Sequence, residues 1–157
     1  MEIERRFLVA RIPENLDTYP FSYIVQAYTM IAEDGSEERV RRERECTGEV
    51  KYKKGRKVGV GISRVEGSEP ITKLEFETES NNALGMLLEK VRYKIPHNGR
   101  KIEFNIFANP RDLMLIEVEF DTDEQAKEFV PLDWFGQEVT DDPRYNGQQI
   151  ALHGIPK

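Results

Sequence analysis

The sequence predicts an α+β domain of antiparallel strands that closes around a charged interior. Three observations carry this expectation. Short segments alternate apolar and polar residues between turn-forming clusters, few segments have helical spacing, and charges of one sign recur two positions apart on many of the strands.

Residues 2–10 form the first expected strand: Ile3 lies between carboxylates, and the segment stops at Arg11-Ile12-Pro13, where proline has no N–H to pair. Residues 23–31 are aromatic and β-branched, 38–45 alternate around Val40, and 48–54 alternate around Val50 and Tyr52. A fifth strand is expected over 57–66, where Val58, Val60 and Ile62 stand among glycines. A sixth is expected over 71–79, after the turn-like Glu66-Gly67-Ser68-Glu69-Pro70. Asn81 or Asn82 is placed to cap a helix running to Lys90, with Leu84, Leu87 and Leu88 at helical spacing. Strands resume over 91–96, 100–107 and 113–120, divided by His97-Asn98-Gly99 and Asn109-Pro110-Arg111-Asp112. A second helix is expected over 123–130, and the polar tail 141–154 turns weakly helical around Ile150 and Leu152. No linker or repeat divides the chain, so residues 1–157 are read as a single domain.

Residues at i and i+2 of a strand share a face. The acidic pairs are Glu2 with Glu4, Glu75 with Glu77 and Glu117 with Glu119; the basic pairs are Arg39 with Arg41, Lys51 with Lys53 and Lys90 with Arg92. Arg6 extends the first pair, and Glu103 with Asn105 repeats the spacing with one charge. The residues between them, Ile3, Val40, Phe76, Val91, Phe104 and Val118, are apolar and should face a hydrophobic layer. A solvated face mixes signs so that neighbours attract, whereas like charges side by side repel. Segregation by strand therefore points to a shared polar interior, with acidic strands gathering metal cations and basic strands gathering an anion. Glu2, Glu4, Glu117 and Glu119 suit a hard ion such as Mg²⁺, which prefers oxygen ligands.

Other features narrow the function. A net charge of −6 argues against a general nucleic-acid or anionic-membrane binder, and no stretch approaches the roughly 20 apolar residues that cross a bilayer. With no apolar signal core behind Met1, the cytoplasm is the expected location. The single cysteine, Cys46, is read as inert, and His97 and His153 lack zinc-ligand spacing. Without a Gly-x-x-x-x-Gly-Lys-Ser/Thr loop, an anion would be held by Arg and Lys side chains. Trp134, Phe135 and Tyr145 read as core-closing aromatics rather than a base platform. A homodimer would be unsurprising, although no stripe marks an interface.

At Glu2-Ile3-Glu4-Arg5-Arg6 the sequence resembles the opening Glu-x-Glu-x-Lys motif of the CYTH domain, the core of the triphosphate tunnel metalloenzymes. The likeness continues in order through Arg39-Val40-Arg41, Lys51 and Lys53, Gly61-Ile62-Ser63-Arg64, Glu75-Phe76-Glu77 and Glu89-Lys90-Val91-Arg92-Tyr93. Ile116-Glu117-Val118-Glu119-Phe120 follows, then Gly136-Gln137-Glu138-Val139-Thr140 with Asp142, Arg144, Tyr145 and Asn146. The resemblance implies a closed eight-stranded antiparallel β-barrel with a few flanking helices, holding a small-molecule triphosphate with Mg²⁺ or Mn²⁺. It implies metal ligation by Glu2, Glu4, Glu117 and Glu119, which form the catalytic set with Arg6. Phosphate binding would fall to Arg39, Arg41, Lys51, Lys53, Lys90, Arg92 and Arg144, with Glu75, Glu77, Glu103 and Asn105 in support. Two positions depart from the family pattern: Arg6 replaces its lysine, and Asn105 stands where Glu-x-Asp is usual.

The function this implies is metal-dependent hydrolysis of inorganic, nucleoside or thiamine triphosphate. Two alternatives are a non-catalytic tunnel that binds polyphosphate or nucleotide, and a class IV-type adenylate cyclase.

Overall fold

The structure, a computed structural model, describes residues 3–58 and 65–157. Among the described residues, nine strands follow one another as β1 (Ile3–Val9), β2 (Phe21–Ile31), β3 (Glu37–Glu45), β4 (Val50–Val58), β5 (Val65–Pro70), β6 (Leu88–His97), β7 (Arg100–Asn109), β8 (Met114–Phe120) and β9 (Phe135–Glu138). Helix α1 (Lys73–Ser80) lies between β5 and β6, α2 (Asp123–Glu128) between β8 and β9, and α3 (Gly147–His153) near the C-terminus.

All nine strands join one antiparallel sheet in the order β5-β4-β3-β2-β6-β7-β8-β1-β9. The sheet is open, which corrects the expected closed eight-stranded barrel. Closure requires the two outer strands to pair, but among the described residues β5 pairs only with β4 and β9 only with β1. Their chemistry suits edges: β5 ends at Pro70, which lacks an N–H, and β9 has four residues with a register shift against β1.

The segment after β5 differs most from the sequence reading. Residues 73–80 form α1 rather than a strand, because Thr72 opens a capping box: its hydroxyl accepts from the Glu75 N–H, and the Glu75 carboxylate accepts from the Thr72 N–H. At about 3.6 residues per turn, Glu75 and Glu77 no longer share a face. Phe76 alone of this helix is buried, in a small cluster with Ala27 and Val40. The helix expected up to Lys90 is absent; residues 81–87 turn, and Leu88 begins β6. Strand β5 occupies the segment read as a turn, β9 was not anticipated, and the expected strand 57–66 falls partly outside the described residues.

Antiparallel alternation gives the sheet two unlike faces. On one, Phe7, Ile102, Phe104, Ile116 and Val118 pack with Trp134 and Phe135, the Phe7 and Phe135 ring centroids lying 4.9 Å apart. Burying each such side chain contributes about 1.5–3 kcal/mol. Val40, Phe104 and Val118 are buried as the alternation predicts, Phe76 is buried from a helix instead, and Ile3 and Val91 are partly buried. A second cluster, with Tyr28, Leu88, Phe107, Leu115, Ile150 and Ala151, docks α3 at one end of the other face. Gly147 makes that docking close: a Cβ there would collide with the Tyr28 hydroxyl. Among the described residues, no helix is long and apolar enough to cross a membrane.

Candidate functional site

The strand register carries charge from edge to edge of the second face, since directly paired residues project to the same side. Glu4 pairs with Glu119 and Arg6 with Glu117; Glu117 pairs with Glu103, Asn105 with Arg92, and Gln26 with Arg41. Apart from Asn105, these side chains border a cavity of about 490 Å³. Tyr145, Asn146, Gly147, Gln148 and Ile150 line it from the C-terminal segment.

The cations are held in place by polar partners. Arg92 donates from Nε to Asn105 Oδ1 at 2.9 Å and from Nη1 to Glu103 Oε2 at 2.9 Å, with Nη2 3.8 Å from Glu117 Oε1. Asn105, fully buried, turns its amide N–H groups to Leu115 O at 3.1 Å and Glu117 Oε1 at 3.3 Å. Arg41 directs Nε and Nη2 to Gln26 Oε1 at 3.0 and 2.8 Å, and Gln26 Nε2 donates to the Tyr28 hydroxyl at 2.9 Å. Arg6 reaches Glu4 Oε1 at 2.7 Å, and its Nη1 donates to Tyr145 O and Asn146 Oδ1, each at 3.0 Å. Its buried Nε has no hydrogen-bond partner among the described residues.

Burial and crowding perturb the titrating groups. Burial, reinforced by Arg92 and Arg41, lowers Lys90 to about 7. Burial, with Arg92 and Arg39 nearby, lowers Arg41 to about 10. For Glu117, burial disfavours the charged form, but Lys90, Arg92, Arg6 and Arg41 together outweigh it and hold the carboxyl at about 2. Burial lifts Tyr28 to about 12. The cavity thus crowds cationic and carboxylate side chains together in about equal number, with Glu117 held ionised among the cations.

Of the residues singled out from sequence, Glu4, Arg6, Arg39, Arg41, Lys90, Arg92, Glu103, Glu117 and Glu119 line this cavity, and Asn105 lies behind Arg92 and Glu117. Glu2 lies outside the described residues. Lys51 and Lys53 pair with Glu43 and Arg41 and share their face, but they are exposed beyond the lining. Arg144 is elsewhere: it pairs with Asp142 at 2.7 Å and donates to Lys157 O, because the turn at Pro143–Tyr145 points it outward. Glu75 and Glu77 are exposed on α1, where Glu75 caps its own helix and Glu77 lies 3.9 Å from Lys73.

The cavity also contains residues that sequence reading gave no site role, Gln26, Tyr28, Glu37, Lys57, Glu66 and Gln148, together with Asn146, which it named only within the closing motif. Period two could have found Glu37 beside Arg39 and Lys57 beyond Lys53, but nothing local marks Gln148. Among the described residues, no group of three His, Cys, Asp or Glu side chains forms a ready metal cage.

No family model matches the sequence. The chain is 37% identical over 155 residues to an inorganic triphosphatase of Nitrosomonas europaea, spanning 96% of this chain and 97% of the relative. It resembles a solved inorganic triphosphatase structure with a TM-score of 0.73 and 34% identity over 99% of each chain. A Bacillus halodurans chain described only as a candidate adenylate cyclase shares the fold, with a TM-score of 0.59 at 15% identity over 100% of this chain and 93% of that one. Identity at this level along nearly the whole length, on a sheet that gathers the motif residues around one cavity, means that the chain belongs to the inorganic triphosphatase family of CYTH-domain, triphosphate tunnel proteins.

Proposed function

We propose that this chain hydrolyses inorganic triphosphate to pyrophosphate and phosphate with the help of a divalent metal ion. The observation that carries the reading is the juxtaposition, in one cavity, of Arg6, Arg39, Arg41, Lys90 and Arg92 with Glu4, Glu117 and Glu119. Five cations around a short polyanion supply the electrostatic stabilisation on which phosphoryl transfer chiefly depends. The buried Arg6 Nε, without a hydrogen-bond partner among the described residues, is a donor that an anion would satisfy.

The acidic side fits a hard cation. Glu4 and Glu119 are directly paired carboxylates, with Arg6 against Glu4, and every donor they offer is an oxygen. Mg²⁺ or Mn²⁺ held by Glu4, Glu117 and Glu119, together with Glu2, would neutralise phosphate oxygens and acidify a bound water. The chain's own residues do the rest. Arg39, Arg41 and Arg92 hold the phosphates and balance charge on the transferred phosphoryl group as the water oxygen bonds to the terminal phosphorus, a water proton passes to a phosphate oxygen, and the anhydride bond breaks with its electron pair leaving on pyrophosphate. Lys90, whose charge is easily gained near neutrality, holds a proton close to the departing pyrophosphate.

The test is incubation with inorganic triphosphate, ATP and thiamine triphosphate, with Mg²⁺ or Mn²⁺ and with chelator, following phosphate, pyrophosphate and cyclic AMP. Metal-dependent phosphate release that falls at least about 100-fold in Glu117→Gln and Glu119→Gln is expected. Ligand-raised melting temperature without any product would overturn the enzyme reading, and cyclic AMP from ATP would replace it with cyclisation.

A further inference from the structure

We propose that Gln148, on α3, is a positioning residue for phosphate binding: through the Glu37 carboxylate it holds the Arg39 guanidinium in its cavity-facing orientation. This rests on the functional reading above.

Glu37 is a charged residue almost fully buried in the cavity wall, with 6% of its surface exposed. Each of its oxygens has its own partner. Oε2 accepts from Arg39 Nη1 at 2.9 Å, and Oε1 accepts from Gln148 Nε2 at 3.1 Å. An ionised carboxylate only accepts, so the glutamine must present its amide nitrogen. That orientation suits its surroundings: Nε2 also lies 3.5 Å from Gly35 O, and Oε1 accepts from Gln149 Nε2 at 3.4 Å.

The donor sits on a fixed platform. Ile150 and Ala151 anchor α3 in the core, and Gly147 rests against the Tyr28 hydroxyl. The contact spans 111 positions of sequence, joining the C-terminal segment beyond the edge strand β9 to β3 near the other end of the sheet. Without the Gln148 N–H, Glu37 Oε1 loses that donor while buried, a cost that turns the carboxylate and carries Arg39 with it. Arg39 is also two positions from Arg41 on the same face, and Lys57 is paired across from Glu37. Fixing the Glu37 carboxylate against Arg39 therefore holds one member of this cationic row in a defined place.

The experiment is a steady-state cycle with inorganic triphosphate and metal. Gln148→Met keeps length and loses the donor; Gln148→Glu keeps shape and turns a second acid toward Glu37. The expected result is a KM raised about threefold in the first and about tenfold in the second, with kcat within about twofold and the melting temperature lowered, more in the second than in the first. In an Arg39→Gln background, Gln148→Met should add no further KM penalty. The same penalty in that background, or an unchanged KM in both single variants, overturns the relay. Should Gln148→Glu fail to fold, the Gln148→Met cycle alone decides. If the unaltered chain releases no phosphate, the functional reading fails, and the cycle is read from the Kd for inorganic triphosphate. There non-additivity supports the relay, and additivity or absence of binding overturns it.

Discussion

The Arg6 guanidinium and the Asn146 side chain, 140 positions apart in sequence, meet at 3.0 Å and tie the C-terminal segment to the first strand. The same Nη1 donates to Tyr145 O, while Nη2 holds Glu4. One planar fork thus binds a carboxylate on the acidic side of the cavity and the segment that lines its end.

Arg6→Lys restores the lysine usual in the family's opening motif and separates these duties. A single ammonium cannot match the fork, so stability should fall by about 1–2 kcal/mol in urea unfolding. Hydrolysis, which needs the charge, should persist within about tenfold.

Asn105→Asp should be the more damaging change, although it restores the acidic residue usual at that position. The amide accepts from Arg92 and donates to Leu115 O and Glu117, and an ionised carboxylate keeps only the first of these bonds. It would also face the Glu117 carboxylate across 3.3 Å. A loss of about 1–3 kcal/mol in unfolding free energy is expected.

Gly147→Ala should lower the melting temperature and hydrolysis together, because the new methyl must displace the Tyr28 hydroxyl from a packed core. Overpacking of this kind costs about 1–3 kcal/mol. Differential scanning calorimetry beside a phosphate-release assay would show both.

Lys90 makes ligand binding proton-linked. Its value in the folded chain is lowered to about 7 from the 10.5 of a free lysine, so between those pH values the unfolded chain carries a proton that the folded chain has shed. Stability from this group therefore rises with pH above about 7 and is lowest below it, where both states are charged and the buried charge is fully opposed. A polyanion favours the charged form. At pH 8, titration calorimetry of inorganic triphosphate in buffers of different ionisation heat should show proton uptake that is missing in Lys90→Met and shrinks toward pH 6.

Much of the site could be read without coordinates. Two-residue periodicity assigns Arg39 with Arg41, Lys90 with Arg92 and Glu117 with Glu119 to shared faces, because alternation is a property of any extended strand. The same rule misled at Glu75 and Glu77, where the pattern looked like another acidic strand. The neighbouring Thr72-Lys73-Leu74-Glu75 capping box, an equally local signal, instead favours a helix.

By itself the sequence determined the identity and local facing of the charged pairs, and with them the prospect of a cavity rich in both signs. Only the tertiary structure decided that the sheet stays open, since closure depends on whether β5 and β9 find each other rather than on any strand's own pattern. It also decided that Arg144 turns away while Gln148 turns in, and that Asn105 supports Arg92 and Glu117 from a buried position. Such contacts join residues distant in sequence, and the packing that brings them together has no local signature.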